Sequence, residues 1–284
     1  MTGLVERFLA DGHVVVEGAL DGAFCEEVVA GGFRRLGARA SDPGTWPTGW
    51  INLPPTTVHD LVAIAPAAAA VLYELVGPPE AIAFGGLPDN LIMNFPDDVA
   101  GWWPPSAWRE HLDGFHKDGD WFRHFLDSPE QAILGLVLWR DVEPDQGATY
   151  AVVDSIGPVA RFLARHPEGI DPGGFPYREL LAGCHDVRPL CGRQGTIIWA
   201  HPWMVHAASV NRTGRARIIS NTAVMLREPM HFADAARSRT PVEESVLLAL
   251  GEASVDFTPT RERRRVTSER ERRWDAEEAD RTGN

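Results

Sequence analysis

His111-Leu112-Asp113-Gly114-Phe115-His116-Lys117-Asp118-Gly119-Asp120-Trp121-Phe122-Arg123-His124-Phe125 holds two His-x-Asp pairs within eight residues. Side chains of an extended strand alternate between faces, so the His and Asp of one pair project to the same side. An imidazole nitrogen and a carboxylate oxygen set side by side are two of the three protein ligands of a facial iron(II) site. The third is a histidine that the fold has to bring from elsewhere. Positions 111 and 113 are odd while 116 and 118 are even, so one unbroken strand turns the two pairs to opposite faces and only one of them serves. His116/Asp118 is preferred, because the apolar run 132–139 follows it closely enough to be the next strand. A lone His-x-Asp is more often a surface turn or a strand-end hydrogen bond, so the context has to decide.

The context begins with what the composition permits. A chain of 284 residues buries a full core. Its 44% hydrophobic and 24% charged residues place it with ordinary folded soluble proteins. A net charge of −13 argues against general nucleic-acid or anionic-membrane binding while leaving room for a local basic pocket. Cys25, Cys184 and Cys191 form no Cys-x-x-Cys pair, which speaks against a disulfide framework or a thiolate zinc site. The N-terminus lacks the basic head and apolar core of a signal peptide, and no apolar run approaches a membrane span. The expectation is a cytoplasmic, reduced setting. Lys117 is the only lysine among many arginines, a bias that suggests a GC-rich bacterial genome.

Apolar spacing predicts helices over 4–10, 23–36 and 58–76, with a strand over 13–20 and a loop over 44–57. The character then turns to β: short strands over 81–84 and 90–95, an irregular tryptophan- and proline-rich stretch over 97–108, and strands over 132–139 and 148–153. A helix over 157–166, a loop or short helix over 169–183 and a brief strand over 185–188 follow. Strands over 196–201, 203–209 and 215–225 and a helix over 241–250 complete a domain of residues 1–260. Residues 261–284 read as a mixed-charge tail outside the core. Helices first and then many short strands suggest a mainly β fold with flanking helices and an antiparallel jelly-roll core. Gly-x-Gly-x-x-Gly, the P-loop and Gly-x-Ser-x-Gly are absent, so nucleotide and serine-hydrolase readings lose their usual supports.

In a jelly roll, strands distant in sequence face each other, so the third ligand candidate is His206, ninety residues after His116. Arg217 follows eleven residues later. On an adjacent strand its guanidinium can grip the far carboxylate of a molecule whose other end chelates the metal. Arg215 shares the strand parity of Arg217, and spacing alone favours Arg217. His201 reads as structural or as a partner behind the ligands. His124 is excluded because eight residues of strand span about 26 Å. Trp102, Trp103 and Trp108 either line the entrance or pack a loop, and the acids at 127–130 read as a turn and helix cap.

With these four residues in place, the chain resembles the phytanoyl-CoA dioxygenase family of Fe(II)- and 2-oxoglutarate-dependent oxygenases over about residues 4–226. The run from His206 through Ala207-Ala208-Ser209-Val210-Asn211-Arg212-Thr213-Gly214 to Arg215 is similar to that family's closing motif, and Phe8-Leu9-Ala10-Asp11-Gly12-His13-Val14-Val15-Val16 to its opening. The resemblance implies a double-stranded β-helix (cupin-like) core, His116, Asp118 and His206 as iron ligands, and Arg217 on the far carboxylate of 2-oxoglutarate. It also implies Trp139 and Thr149 at cosubstrate-pocket positions. With Fe(II), 2-oxoglutarate and O2, such an enzyme oxidises, typically hydroxylates, a small organic substrate and releases succinate and CO2. Within that class Asp118 favours hydroxylation or a related oxidation over halogenation, which needs a small residue there. The alternatives are a cupin-like metalloenzyme that does not use 2-oxoglutarate and a non-enzymatic jelly-roll binding protein. The sequence leaves the substrate and the oligomeric state open.

Overall fold

The computed structural model describes residues 2–96, 105–234 and 236–282. The N-terminal part runs α1 (Thr2–Asp11), β1 (His13–Val16), α2 (Gly22–Arg35), β2 (Trp50–Asn52), β3 (Val58–His59), α3 (Leu61–Ile64) and α4 (Pro66–Val76). Strands dominate next: β4 (Ile82–Phe84), β5 (Leu87–Pro88), β6 (Ile92–Asn94), β7 (Ile133–Leu138) and β8 (Thr149–Val152). The rest comprises α5 (Ile156–Ala164), α6 (Tyr177–Leu180), β9 (Val187–Leu190), β10 (Thr196–Ala200), β11 (Val205–Ala208), β12 (Arg217–Leu226), α7 (Pro241–Leu250) and α8 (Glu269–Thr282). Among the described residues, no helix is long and apolar enough to cross a membrane.

The helices start where their caps place them. Asp21 accepts from the backbone N–H of Ala23 and Phe24 and opens α2. Thr240 and Glu243 form a reciprocal capping box on α7, whose bounds match the predicted ones. The single helix expected over 58–76 is instead β3, α3 and α4. Asp60 caps α3 at the Val62 N–H, and Pro66, which has no N–H to donate, forces a restart. The expected loop over 44–57 contains β2, which becomes an edge strand, and the strand begun at His13 stops after Val16 at a turn through Gly18.

The large sheet has the order β1-β10-β7-β12-β6-β2, with β4 against the far end of β12, and a smaller sheet runs β11-β8-β9. Every described pairing in both sheets is antiparallel. Directly opposed residues share a face, so the register of β7 on β12 (Leu136 with Asn221, Leu138 with Ile219) puts Leu136, Leu138, Arg217, Ile219 and Asn221 on one side. A hydrogen bond of 3.3 Å from Arg217 Nη1 to Thr149 Oγ1 crosses to the small sheet, so this side faces inward between the sheets. The opposite side carries Val137, Ser220 and Trp199 and is covered by α2 and α4, with the Trp199 indole donating to the Ala68 carbonyl. Gly135 sits mid-strand on that side because a Cβ there would stand 2.6 Å from the Trp199 ring.

Candidate metal centre

His116 and His206 face each other as an antiparallel bridge and exchange both backbone hydrogen bonds, His116 N to His206 O at 3.0 Å and His206 N to His116 O at 2.8 Å. That pairing directs both imidazoles to one side, with ring centroids 4.7 Å apart. Asp118, two residues on, places Oδ1 3.5 Å from His116 Nε2 and Oδ2 3.8 Å from His206 Nε2. One ligand atom from each residue lies within 4.8 Å of the others, and no other such group of histidine, cysteine and acid side chains occurs among the described residues. Separations of this size suit three donors set about 2.1 Å from one ion. His111 and Asp113 stay outside the cluster: they lie in a 3-10 segment (Pro105–Gly114), and His111 is exposed.

The backbone fixes which nitrogen is offered. His116 Nδ1 meets the Gly114 carbonyl at 3.1 Å, and His206 Nδ1 meets the Met204 carbonyl at 3.0 Å. A carbonyl only accepts, so each Nδ1 carries the hydrogen and each Nε2 is left for a metal. Asn221 Nδ2 donates to Asp118 Oδ2 at 3.0 Å and is itself held by Asn90. Burial pushes the Asp118 carboxyl up, but the His116 hydrogen bond and both imidazoles outweigh it and hold the group far below the usual carboxylate range. Burial lowers His206, which favours the neutral ligand form. Burial also opposes charging His116, yet the hydrogen bond and charge of Asp118 prevail and raise it. The proton shared between His116 and Asp118 stands where a metal ion would replace it.

Arg217 lies on the inward side of β12, four residues before Asn221, and is 1% exposed. Burial lowers its pKa to about 9. Its guanidinium sits 4.9 Å from the Trp50 ring centroid and reaches Thr149 through Nη1, while Nε and Nη2 have no partner among the described residues. Buried donors left unmatched in this way are costly, and a carboxylate would satisfy both. Arg215 is ion-paired with Glu143 at 2.6 Å and half exposed, which separates the two arginines that spacing alone had ranked. Trp139 departs from the expected pocket position. Its indole donates to Ser220 Oγ at 2.7 Å and packs on Phe24, so it lies on the helix-covered side of the sheet.

A cavity of about 840 Å³ opens above His116 and Asp118. Phe115, Trp121, Phe175 and Tyr177 supply aromatic wall. His124 also lines it: the chain folds back at Gly119 (φ 111°), so the strand-length distance that excluded His124 does not apply. His124 lies outside the group of donors that His116, Asp118 and His206 form, and its Nδ1 meets Lys117 Nζ at 2.7 Å. That lysine, buried over Phe122 and Phe175 with its pKa pushed down to about 7 by desolvation, was not foreseen as part of the site, nor were Asn90 and Asn221. His201 is a buried core histidine whose Nδ1 accepts from the Trp203 N–H, and burial lowers it to about 3. Trp108 is buried against Phe115 and Arg109, the loop-packing alternative, while Trp102 and Trp103 lie outside the described residues. Asp127 and Glu130 pair with Arg263 of the following segment instead of capping a helix.

No family model and no curated protein sequence matches the chain. Solved structures do. The non-heme alpha ketoglutarate dependent carbocyclase SnoK from nogalamycin biosynthesis aligns over 94% of this chain and 96% of its own at 13% identity, with a TM-score of 0.52. The chain shares that fold. The epimerase SnoN, in complex with Fe3+, alpha ketoglutarate and nogalamycin RO, aligns over 95% and 96% at 20% identity (TM-score 0.47). HygX from Streptomyces hygroscopicus, with nickel, 2-oxoglutarate and hygromycin B bound, aligns over 79% and 87% at 16% identity (TM-score 0.44).

Proposed function

We propose that the chain is an Fe(II)- and 2-oxoglutarate-dependent oxygenase acting on a small organic substrate. The observation that carries this reading is Arg217: a buried guanidinium with two unmatched donors, beside Thr149 and on the face of β12 that also holds Asp118 through Asn221. The donor set fits the implied groups. His116, Asp118 and His206 hold the iron through two neutral imidazoles and one carboxylate, as a facial triad does. Arg217 and Thr149 receive the far carboxylate of 2-oxoglutarate. The two-sheet core is a double-stranded β-helix. Free cysteines at 25, 184 and 191 fit a reduced, cytoplasmic setting, and the excess of arginine over lysine fits a bacterial one.

When bound, iron and 2-oxoglutarate supply the oxidation: cosubstrate, O2 and a substrate C–H yield succinate, CO2 and the oxidised, typically hydroxylated, product. The residues of this chain bind, orient and exclude water. The Gly114 and Met204 carbonyls fix the imidazoles, Asn221 restrains Asp118, and Arg217 sets the direction of the cosubstrate. Purified protein given Fe(II), ascorbate and 2-oxoglutarate is expected to form succinate, and Arg217→Met to lose 2-oxoglutarate binding while still binding metal. A metalloenzyme of another kind would bind metal without forming succinate, and a binding protein would tolerate His116→Ala and His206→Ala.

A further inference from the structure

The residues after 260, expected to be a solvated tail, are built into the wall of the cavity. Val266 N donates to the Trp121 carbonyl at 2.7 Å and Arg123 N to the Arg264 carbonyl at 3.0 Å, so residues 264–266 pair with the stretch that follows Asp118. Four side chains from this segment, Arg265, Arg270, Glu271 and Trp274, line the same cavity as His116 and Asp118. Arg270 is ion-paired with Asp120 at 3.0 Å and lies 5.3 Å from the Trp274 ring centroid. Arg265 is paired with Glu271 and lies 5.6 Å from the Trp121 ring. Trp274 is anchored by its Nε1 to the Asn52 carbonyl at 3.1 Å.

These pairings decide what the wall offers. Both arginines are paired with acids and lie against aromatic rings, so among the described residues this segment presents no unpaired cation, and Lys117, which also lines the cavity, has its Nζ engaged by His124 and the Asp118 carbonyl. Phe115, Phe175, Tyr177 and Met225 with the two tryptophans give the cavity an aromatic and aliphatic wall, while its polar lining, including Asn90, Asn221 and Thr222, gathers with the His116–Asp118 end. A volume of about 840 Å³ accepts a drug-sized molecule. We infer that the C-terminal segment closes a substrate site for an uncharged aromatic compound, and that Trp274 is one of its specificity-determining residues. The inference rests on the oxygenase reading only for the reaction that follows binding.

Equilibrium dialysis of the metal-free full chain tests this with three uncharged probes: anthraquinone, decanol and methyl glucoside. Anthraquinone is expected to bind at least about tenfold more tightly than either of the others. Trp274→Ala, and separately deletion of residues 269–284, should each weaken it on the order of tenfold. Nickel(II) affinity should stay the same in both variants, because every proposed ligand lies between 116 and 206. Equal binding of the flexible or the sugar probe, or unchanged anthraquinone binding in both variants, overturns the inference. Failure of the wild type to form succinate would sink the oxygenase reading and leave the dialysis result standing.

Discussion

Arg217 is a burden to the empty protein, and that makes it testable twice. Its two unmatched donors cost roughly 1–3 kcal/mol. Arg217→Met, similar in length and apolar, is therefore expected to raise the melting temperature of the metal-free protein. The same change should weaken 2-oxoglutarate by roughly 30-fold or more, measured calorimetrically on the nickel(II) form. A variant that is less stable and still binds 2-oxoglutarate would assign Arg217 to packing alone. His116 gives a pH signature. Asp118 is held ionised and His206 neutral, so the proton that a metal displaces comes from His116. Its folded pKa lies above its unfolded one, so its contribution to metal-free stability is full below the unfolded value and lost as pH rises through the folded value. Metal affinity moves the other way, falling as pH drops. Calorimetry in two buffers of different ionisation enthalpy should find proton release approaching one as the pH is lowered, and no release would remove His116 from the ligand set.

β12 is the element that assembles the site, since alternate residues along one face carry Arg217, the proposed anchor of the cosubstrate, and Asn221, which holds Asp118. Asn221→Ala should weaken metal binding by about 10–100-fold without unfolding the protein. Ser220→Ala, one residue away on the opposite face, strands the buried Trp139 N–H and should cost about 1–3 kcal/mol in denaturant unfolding while leaving 2-oxoglutarate affinity unchanged. If Ser220→Ala instead impaired the cosubstrate, Trp139 would belong to its pocket after all. The contrast shows where the sequence was legible. His116, Asp118, His206 and Arg217 are unusual residue types at informative spacings, and periodicity marked α2, α7 and the strands around them. Asn221 carries no such signature, because its role exists only once the fold brings β12 beside Asp118 and Asn90. Trp139 was misplaced for the same reason: strand parity could be assigned only relative to a neighbour. The helix expected over 58–76 ran together through apolar spacing, although Pro66 and Asp60 already marked its breaks.

At the scale of the molecule, the site joins two sheets that otherwise meet through side chains. His206 and Thr149 come from the small sheet, Arg217 and Asn221 from the large one, and Arg217 touches Thr149 across the gap. A metal ion and a keto-diacid bound together would add links between them, and a ligand that binds only the folded form stabilises it by mass action. At about a hundred times its Kd, 2-oxoglutarate should contribute about 2.7 kcal/mol. For a chain of this size that is a rise in melting temperature of roughly 4–5 °C. The order of addition matters, since one end of the cosubstrate needs the metal and the other needs Arg217. Nickel(II) alone should raise the melting temperature, 2-oxoglutarate alone should do little, and the pair should exceed the sum. His206→Ala should abolish all of these shifts, whereas deleting residues 269–284 should preserve them, because that segment bounds the cavity and supplies neither anchor. An equal response to 2-oxoglutarate with and without metal would mean that the guanidinium and the triad serve separate ligands, and the oxygenase reading would fall.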